Sequence, residues 1–119
     1  MVRILLAEDD PVLRDILQEG LGEEGFTVRV AQDGAQALEL YQTDGPFDVL
    51  LIDEEMPHVT GRELVRRIRQ KGDRVPVLLI SGNLHLEEAE CAALGVGPVL
   101  RKPISLRDLS RAVRAALDP

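Results

Sequence analysis

Short apolar runs alternate five times with stretches of helical periodicity along this chain, and that rhythm constrains the fold more than any other feature. Consecutive β-α units lay down parallel strands, because each crossover helix carries the chain back to the edge where the next strand begins. The continuous runs are Val2–Ala7, residues 47–52, Val77–Ile80 and the short Val99–Leu100 pair. The remaining one differs: Phe26, Val28 and Val30 alternate with Thr27, Arg29 and Ala31, a half-buried pattern suited to an edge strand. With strand 2 at the edge and right-handed crossovers, the expected order is 2-1-3-4-5 in an α/β, doubly wound (βα)5 sheet of five parallel strands.

Punctuation agrees with this reading. Asp10-Pro11 supplies an N-cap and a proline at the first helical position, with Leu13, Ile16, Leu17 and Leu21 as the apolar stripe of helix 1 and Gly22 and Gly25 at its end. Asp33 caps a second helix carrying Ala37, Leu38 and Tyr41, and Gly45-Pro46 breaks before strand 3. Helix 3 carries Leu64, Val65 and Ile68, and helix 4 is expected between Leu86 and Leu94. Ser105 opens helix 5, with Asp108 in a capping-box-like position and Leu106, Leu109, Val113 and Leu117 facing inward.

A length of 119 residues suits one domain, so residues 1–119 are read as a unit with one site. A formal charge of −7 without a dense Lys/Arg run argues against direct binding of nucleic acid or an anionic membrane by this domain. Cys91 is the single cysteine, which excludes an internal disulfide and a Cys-based zinc site; it reads as a small buried hydrophobe. With no run of membrane-spanning length and too short an N-terminal apolar run for a signal peptide, a cytoplasmic location is expected.

In doubly wound sheets ligands bind beyond the carboxyl ends of the strands, at the switch point between strands 1 and 3. Strand 1 runs into Glu8-Asp9, strand 3 into Asp53, strand 4 into Ser81, and Lys102 follows strand 5. Carboxylates brought together repel unless a cation neutralises them, and an all-oxygen set without His or Cys favours a hard ion such as Mg²⁺. On the far side of Asp53, the Lys102 ammonium and the Ser81 hydroxyl can offset charge and donate to phosphoryl oxygens. Phosphoryl transfer depends mainly on positioning and charge neutralisation, so this set fits an aspartyl-phosphate at Asp53.

At these residues the chain resembles the receiver domains of two-component response regulators, which share a flavodoxin-like fold. The resemblance spans essentially all 119 residues. It is carried by Glu8-Asp9 with Asp10-Pro11-Val12-Leu13-Arg14, by Asp53-Glu54-Glu55-Met56-Pro57 with Gly61, by Ser81-Gly82, and by Lys102-Pro103. It implies that Asp53 is the phosphoacceptor and that Asp9 ligates Mg²⁺ directly. Glu8 would ligate through water, and Glu55 would offer its backbone carbonyl. Ser81 and Lys102 would hold the phosphoryl oxygens. Either Glu8-Asp9 or Asp9-Asp10 can serve as the acidic pair; a capping role for Asp10 favours the first. The resemblance further implies a signalling domain rather than an enzyme, phosphorylated by a sensor histidine kinase or phosphotransfer protein, with Lys102-Pro103 an X-Pro bond able to be cis.

One departure concerns output. Receiver domains usually carry Phe or Tyr three residues before the lysine, and here Val99 stands there, with no ring to swing when Ser81 moves. The Gly97-Pro98 turn and a Ser81-to-Lys102 interval one residue short are also atypical. Arg107, Arg111 and Arg114 on helix 5 and Glu87, Glu88 and Glu90 on helix 4 suggest that helix 4, strand 5 and helix 5 form a face for a homodimer or an effector. Glu55 and Asn83 sit where family members tune dephosphorylation, and His58 and His85 are expected to face solvent. Two alternatives stand beside the main reading. One is a receiver-like interaction module with phosphorylation-independent output. The other is a haloacid-dehalogenase-like phosphatase, which would place an aspartate where Glu55 stands.

Overall fold

The computed structural model describes residues 1–83 and 85–118. Strands β1 (Arg3–Ala7), β2 (Thr27–Ala31), β3 (Val49–Asp53), β4 (Val77–Ser81) and β5 (Leu100–Arg101) form one sheet in the order β2-β1-β3-β4-β5. All four pairings are parallel, as the alternating pattern requires. Between and after the strands run α1 (Pro11–Glu23), α2 (Gly34–Asp44), α3 (Gly61–Gln70), α4 (Glu88–Ala93) and α5 (Leu106–Leu117).

The strand residues divide by parity between two cores. Ile4, Leu6, Val49, Leu51, Leu78 and Ile80 pack against Leu17 and Leu21 of α1 and Leu109 and Val113 of α5. Leu5, Ala7, Leu50, Ile52, Val77 and Leu79 pack against Ala37 of α2, Leu64, Val65 and Ile68 of α3, and Cys91 of α4. Both faces of β1, β3 and β4 are thus covered, which is why their sequences are uninterruptedly apolar while β2 alternates. Each buried Leu, Ile or Val among them contributes about 1.5–3 kcal/mol. Among the described residues no helix is long and apolar enough to cross a membrane.

Caps set the helix starts. Asp10 accepts from the Val12 and Leu13 amides, Asp33 from Gln36 at 2.7 Å, Thr60 from Glu63 at 3.2 Å and Ser105 from Asp108 at 3.1 Å. Each such cap is worth about 1 kcal/mol. Thr60 was not anticipated, although Thr60-x-x-Glu63 has the capping-box spacing.

Several expectations shift. Strand β3 starts at Val49 and includes Asp53 itself, which is in register with Ile80; Asp48 turns instead to the Arg3 amide at 2.7 Å. Strand β5 is Leu100–Arg101, so Val99 precedes it, buried in the α3 side of the core. Helix α4 is only Glu88–Ala93. Ile16 lies 56% exposed rather than in the α1 stripe, because the face bearing Leu17, Gly20 and Leu21 meets the sheet and α5. The Lys102–Pro103 bond is cis, and so is Gly45–Pro46.

The expected charged face is partly consumed within the chain. Glu88 pairs with Arg101, Glu90 with Arg62 and Arg66, and Arg114 with Glu24. Tertiary proximity supplies nearer partners than a second molecule would, leaving Glu87, Arg107 and Arg111 of that set without an ion pair among the described residues.

Candidate functional site

Parallel pairing brings the polar residues to one end of the sheet. Beyond β1 the Glu8 amide still donates to Ala31 at 3.0 Å, the Glu54 amide after β3 donates to Ile80 at 2.8 Å, and the Lys102 amide donates to Ser81 at 2.9 Å. Each functional side chain is therefore mounted on backbone that belongs to the ladder or directly extends it, which fixes its position.

Gly61 holds the β3–α3 connection close to this end. A Cβ there would meet Leu79 Cδ1 at 2.7 Å, the Asp53 carbonyl oxygen at 2.8 Å and Glu54 Cα at 2.9 Å. Only glycine lets the first turn of α3 approach the strand end so closely, and the Gly61 amide donates to the Glu54 carbonyl at 3.1 Å.

Glu8, Asp9 and Asp53 each offer a carboxylate oxygen within 4.8 Å of the others. Glu8 and Asp53 are each 1% exposed, while Asp9 lies at the open side. Asp10, the other member of the acidic run, spends its side chain capping α1, so the pair brought to Asp53 is Glu8-Asp9. Glu8 accepts the Asp10 amide at 3.1 Å. The Lys102 ammonium stands 3.1 Å from Asp53 Oδ1 and 3.9 Å from Glu8 Oε1. One cation thus faces two buried carboxylates, and among the described residues Glu8 Oε1 and Asp53 Oδ2 accept from no donor except a proton that the two carboxyls share.

The protonation states reflect this imbalance. Glu8 is pushed up to about 8, first by burial and then by its hydrogen bond with Asp53. Burial also raises Asp53, outweighing the Glu8, Lys102 and Glu55-amide contacts that pull it down. For Lys102, burial works toward a lower value, but the hydrogen bond and charge of Asp53, with Glu8 behind it, leave it raised and firmly cationic.

Ser81 is fully buried, and its hydroxyl donates to Glu55 Oε2 at 2.7 Å while accepting the Asn83 amide at 2.9 Å. The Gly82 amide donates to Glu55 Oε1 at 2.7 Å, and the Glu55 amide donates to Asp53 Oδ1 at 3.2 Å. The side chain of Glu55, expected at a position that tunes dephosphorylation and with its carbonyl toward the metal, thus occupies the hydroxyl and amide donors at the end of β4. His58 and His85 are both exposed, His58 with a φ of 69°.

Sequence reasoning missed Glu54. Its carboxylate is 4% exposed and accepts the Arg62 amide at 2.9 Å and Arg62 Nε at 3.1 Å, with burial raising its pKa against the pull of Arg62. The signal was an acid where the apolar strand ends, eight residues before an arginine at the start of a helix.

Comparison with known proteins places this geometry. The family model described as Response regulator receiver domain matches residues 4–114. The response regulator MprA of Mycobacterium ulcerans is 37% identical over 117 residues, covering 98% of this chain and 50% of that protein. The chain spans about half the length of the curated relatives it matches. Among solved structures, the receiver domain of the Francisella response regulator 1452 aligns with a TM-score of 0.90 at 30% identity, covering 98% of this chain and 97% of that one. The response regulator TrrA of Thermotoga maritima, solved in complex with Mg²⁺ and BeF, aligns with a TM-score of 0.87 at 30% identity over 98% of this chain and 100% of that one. Fold, strand order and sequence similarity over nearly the whole chain agree, and the chain belongs to the response regulator receiver domain family.

Proposed function

We propose that this receiver accepts a phosphoryl group on Asp53 from a sensor histidine kinase or phosphotransfer protein, in a Mg²⁺-dependent step. The observation that carries the reading is the pair of buried carboxyl oxygens on Glu8 and Asp53 that, among the described residues, have no hydrogen-bond partner but each other. Two buried carboxyls beside one ammonium can both ionise only if a further cation replaces the proton they share, and this pair with Asp9 makes an oxygen-only donor set that suits a hard divalent cation. Glu8, Asp9 and Asp53, with the Glu55 backbone carbonyl, would hold Mg²⁺, which when bound neutralises charge on the phosphoryl oxygens. An Asp53 oxygen forms the new bond to phosphorus as the P–N bond of the phosphohistidine breaks, its electron pair staying on the imidazole. Lys102 stabilises the transferred oxygens, and Ser81 with the Gly82 amide donates to them once the Glu55 carboxylate moves aside. The haloacid-dehalogenase-like alternative falls with the family assignment.

Val12 and Ile16 lie 67% and 56% exposed on α1, beside a hollow lined by Leu13, Lys102, Pro103 and Ile104. This apolar rim is where the phosphodonor protein docks. Phosphorylation then changes association through α4, β5 and α5.

Incubation with Mg²⁺ and phosphoramidate, a small P–N donor, should label the wild-type chain and not Asp53→Asn; equal labelling of both would overturn the proposal. Val12→Asp with Ile16→Asp should slow transfer from a phosphorylated histidine-kinase domain and leave phosphoramidate labelling unchanged. Equal slowing of the two reactions would remove the docking role. A second reading, association independent of phosphorylation, draws on Val99, buried and unable to act as an aromatic switch. Unchanged association with and without beryllofluoride would favour it.

A further inference from the structure

The residue after Asp53 begins a chain of charged contacts that ends on α4. Glu54 is buried and held by Arg62, whose Nη1 donates to Glu90 Oε2 of α4 at 2.8 Å. Arg66, one turn further along α3, donates to Glu90 Oε1 at 3.1 Å, and Arg69 donates to the Leu94 carbonyl at the end of α4 at 2.8 Å. Three arginines on one face of α3 thus grip α4, and the first also grips the end of β3.

Helix α4 depends on this grip. It is six residues long, its N-cap Glu87 makes no side-chain cap bond, and Cys91 is its one buried residue. Stability does not account for Glu54, because a buried ion pair is often no better than an apolar pair of similar volume. A buried charge retained at a position where β3 leaves the core instead suits a part whose partners must rearrange.

We infer that Glu54, Arg62 and Glu90 form a relay that reports the state of Asp53 to α4, in place of an aromatic at position 99. The inference rests on the phosphoacceptor reading of Asp53. Phosphorylation adds negative charge at Asp53, adjacent in the chain to Glu54, and the Arg62 guanidinium, shared between Glu54 and Glu90, is drawn toward that charge. Its hold on Glu90 weakens, and α4 loosens from α3.

Hydrogen exchange of the full chain with Mg²⁺ and beryllofluoride tests the relay. In the wild type the mimic should slow exchange at Gly82 and speed it across residues 88–93 about fivefold, the upper range for a partly exposed ion pair. Glu90→Gln should show the faster α4 exchange without the mimic and gain nothing when it is added, while Gly82 still responds. Arg62→Lys should behave likewise, since an ammonium keeps a charge beside Glu54 but cannot span both carboxylates. Cys91→Ala removes core packing under α4 but none of the three ion-paired side chains and should keep the response. A Glu90→Gln chain that responds at α4 like the wild type, or a Cys91→Ala chain that loses the response, overturns the relay. A wild type that responds at Gly82 but not at α4 also overturns it. Silence at both places refutes the phosphoacceptor reading and the relay with it.

Discussion

Replacing Glu8 with Gln should stabilise the metal-free protein at neutral pH and leave it unchanged in acid. Glu8 titrates at about 8 in the folded chain against an ordinary 4.5, so folding must take up a proton wherever the unfolded carboxyl is ionised. A raised value means that the contribution of the protonated group is complete below pH 4.5 and is lost progressively as pH climbs toward 8. Gln mimics the protonated form: its carbonyl can still accept the Asp10 amide, and its amide can donate to Asp53. Glu8→Gln and wild type should therefore match near pH 4. Above that they diverge by about 1.4 kcal/mol per pH unit, reaching about 3 kcal/mol at pH 7. Urea unfolding in the presence of a chelator, repeated across pH, measures the difference from the midpoints at constant slope. Excess Mg²⁺ should then nearly close the gap, since a ligand at a hundredfold over its Kd adds about 2.7 kcal/mol to the chain that binds it. A stability difference that is flat with pH, or a metal-free Glu8→Gln chain weaker than wild type at pH 7, would refute the reasoning.

Gly61→Ala should destabilise the chain by about 1–3 kcal/mol, because a Cβ would meet the Asp53 carbonyl and Glu54 Cα, both backbone-fixed; a variant unfolding at the wild-type urea midpoint would contradict this. Lys102→Met should weaken beryllofluoride binding in Mg²⁺ about tenfold to hundredfold by calorimetry while Mg²⁺ alone still binds; undiminished affinity for the mimic would count against the assigned role. Tyr41 is the only tyrosine, and burial with its hydrogen bond to Asp73 pushes its hydroxyl up to about 12. Phenolate absorbance should accordingly rise well above the ordinary 10 rather than at it, with Asp73→Asn lowering the midpoint and a normal titration in the wild type refuting the contact.

What could be read without coordinates followed from local rules. Uninterrupted runs mark strands buried on both faces, an alternating run marks an edge, and Asp10, Asp33 and Ser105 cap helices through bonds to amides two or three residues away. Strand order followed from handedness, and strand order alone sends Glu8, Asp9, Asp53, Ser81 and Lys102 to one end of the sheet. Side-chain partners across the fold were another matter. That Lys102 stands nearer Asp53 than Glu8, that Glu55 takes the Ser81 hydroxyl, and that Glu54 is buried against Arg62 depend on approaches of a few ångströms between segments many residues apart. No periodicity encodes those distances. Helical spacing likewise put Glu90 on a charged face but not against Arg62 and Arg66, since which helices become neighbours is settled only when both sides of the sheet are packed. The sequence by itself determined the architecture and the gathering of Glu8, Asp9, Asp53, Ser81 and Lys102 at one end of the sheet, because each depends on pattern. The tertiary structure decided which charges are paired, which are buried and which are left without a partner, because electrostatics depends on distance and on the exclusion of water.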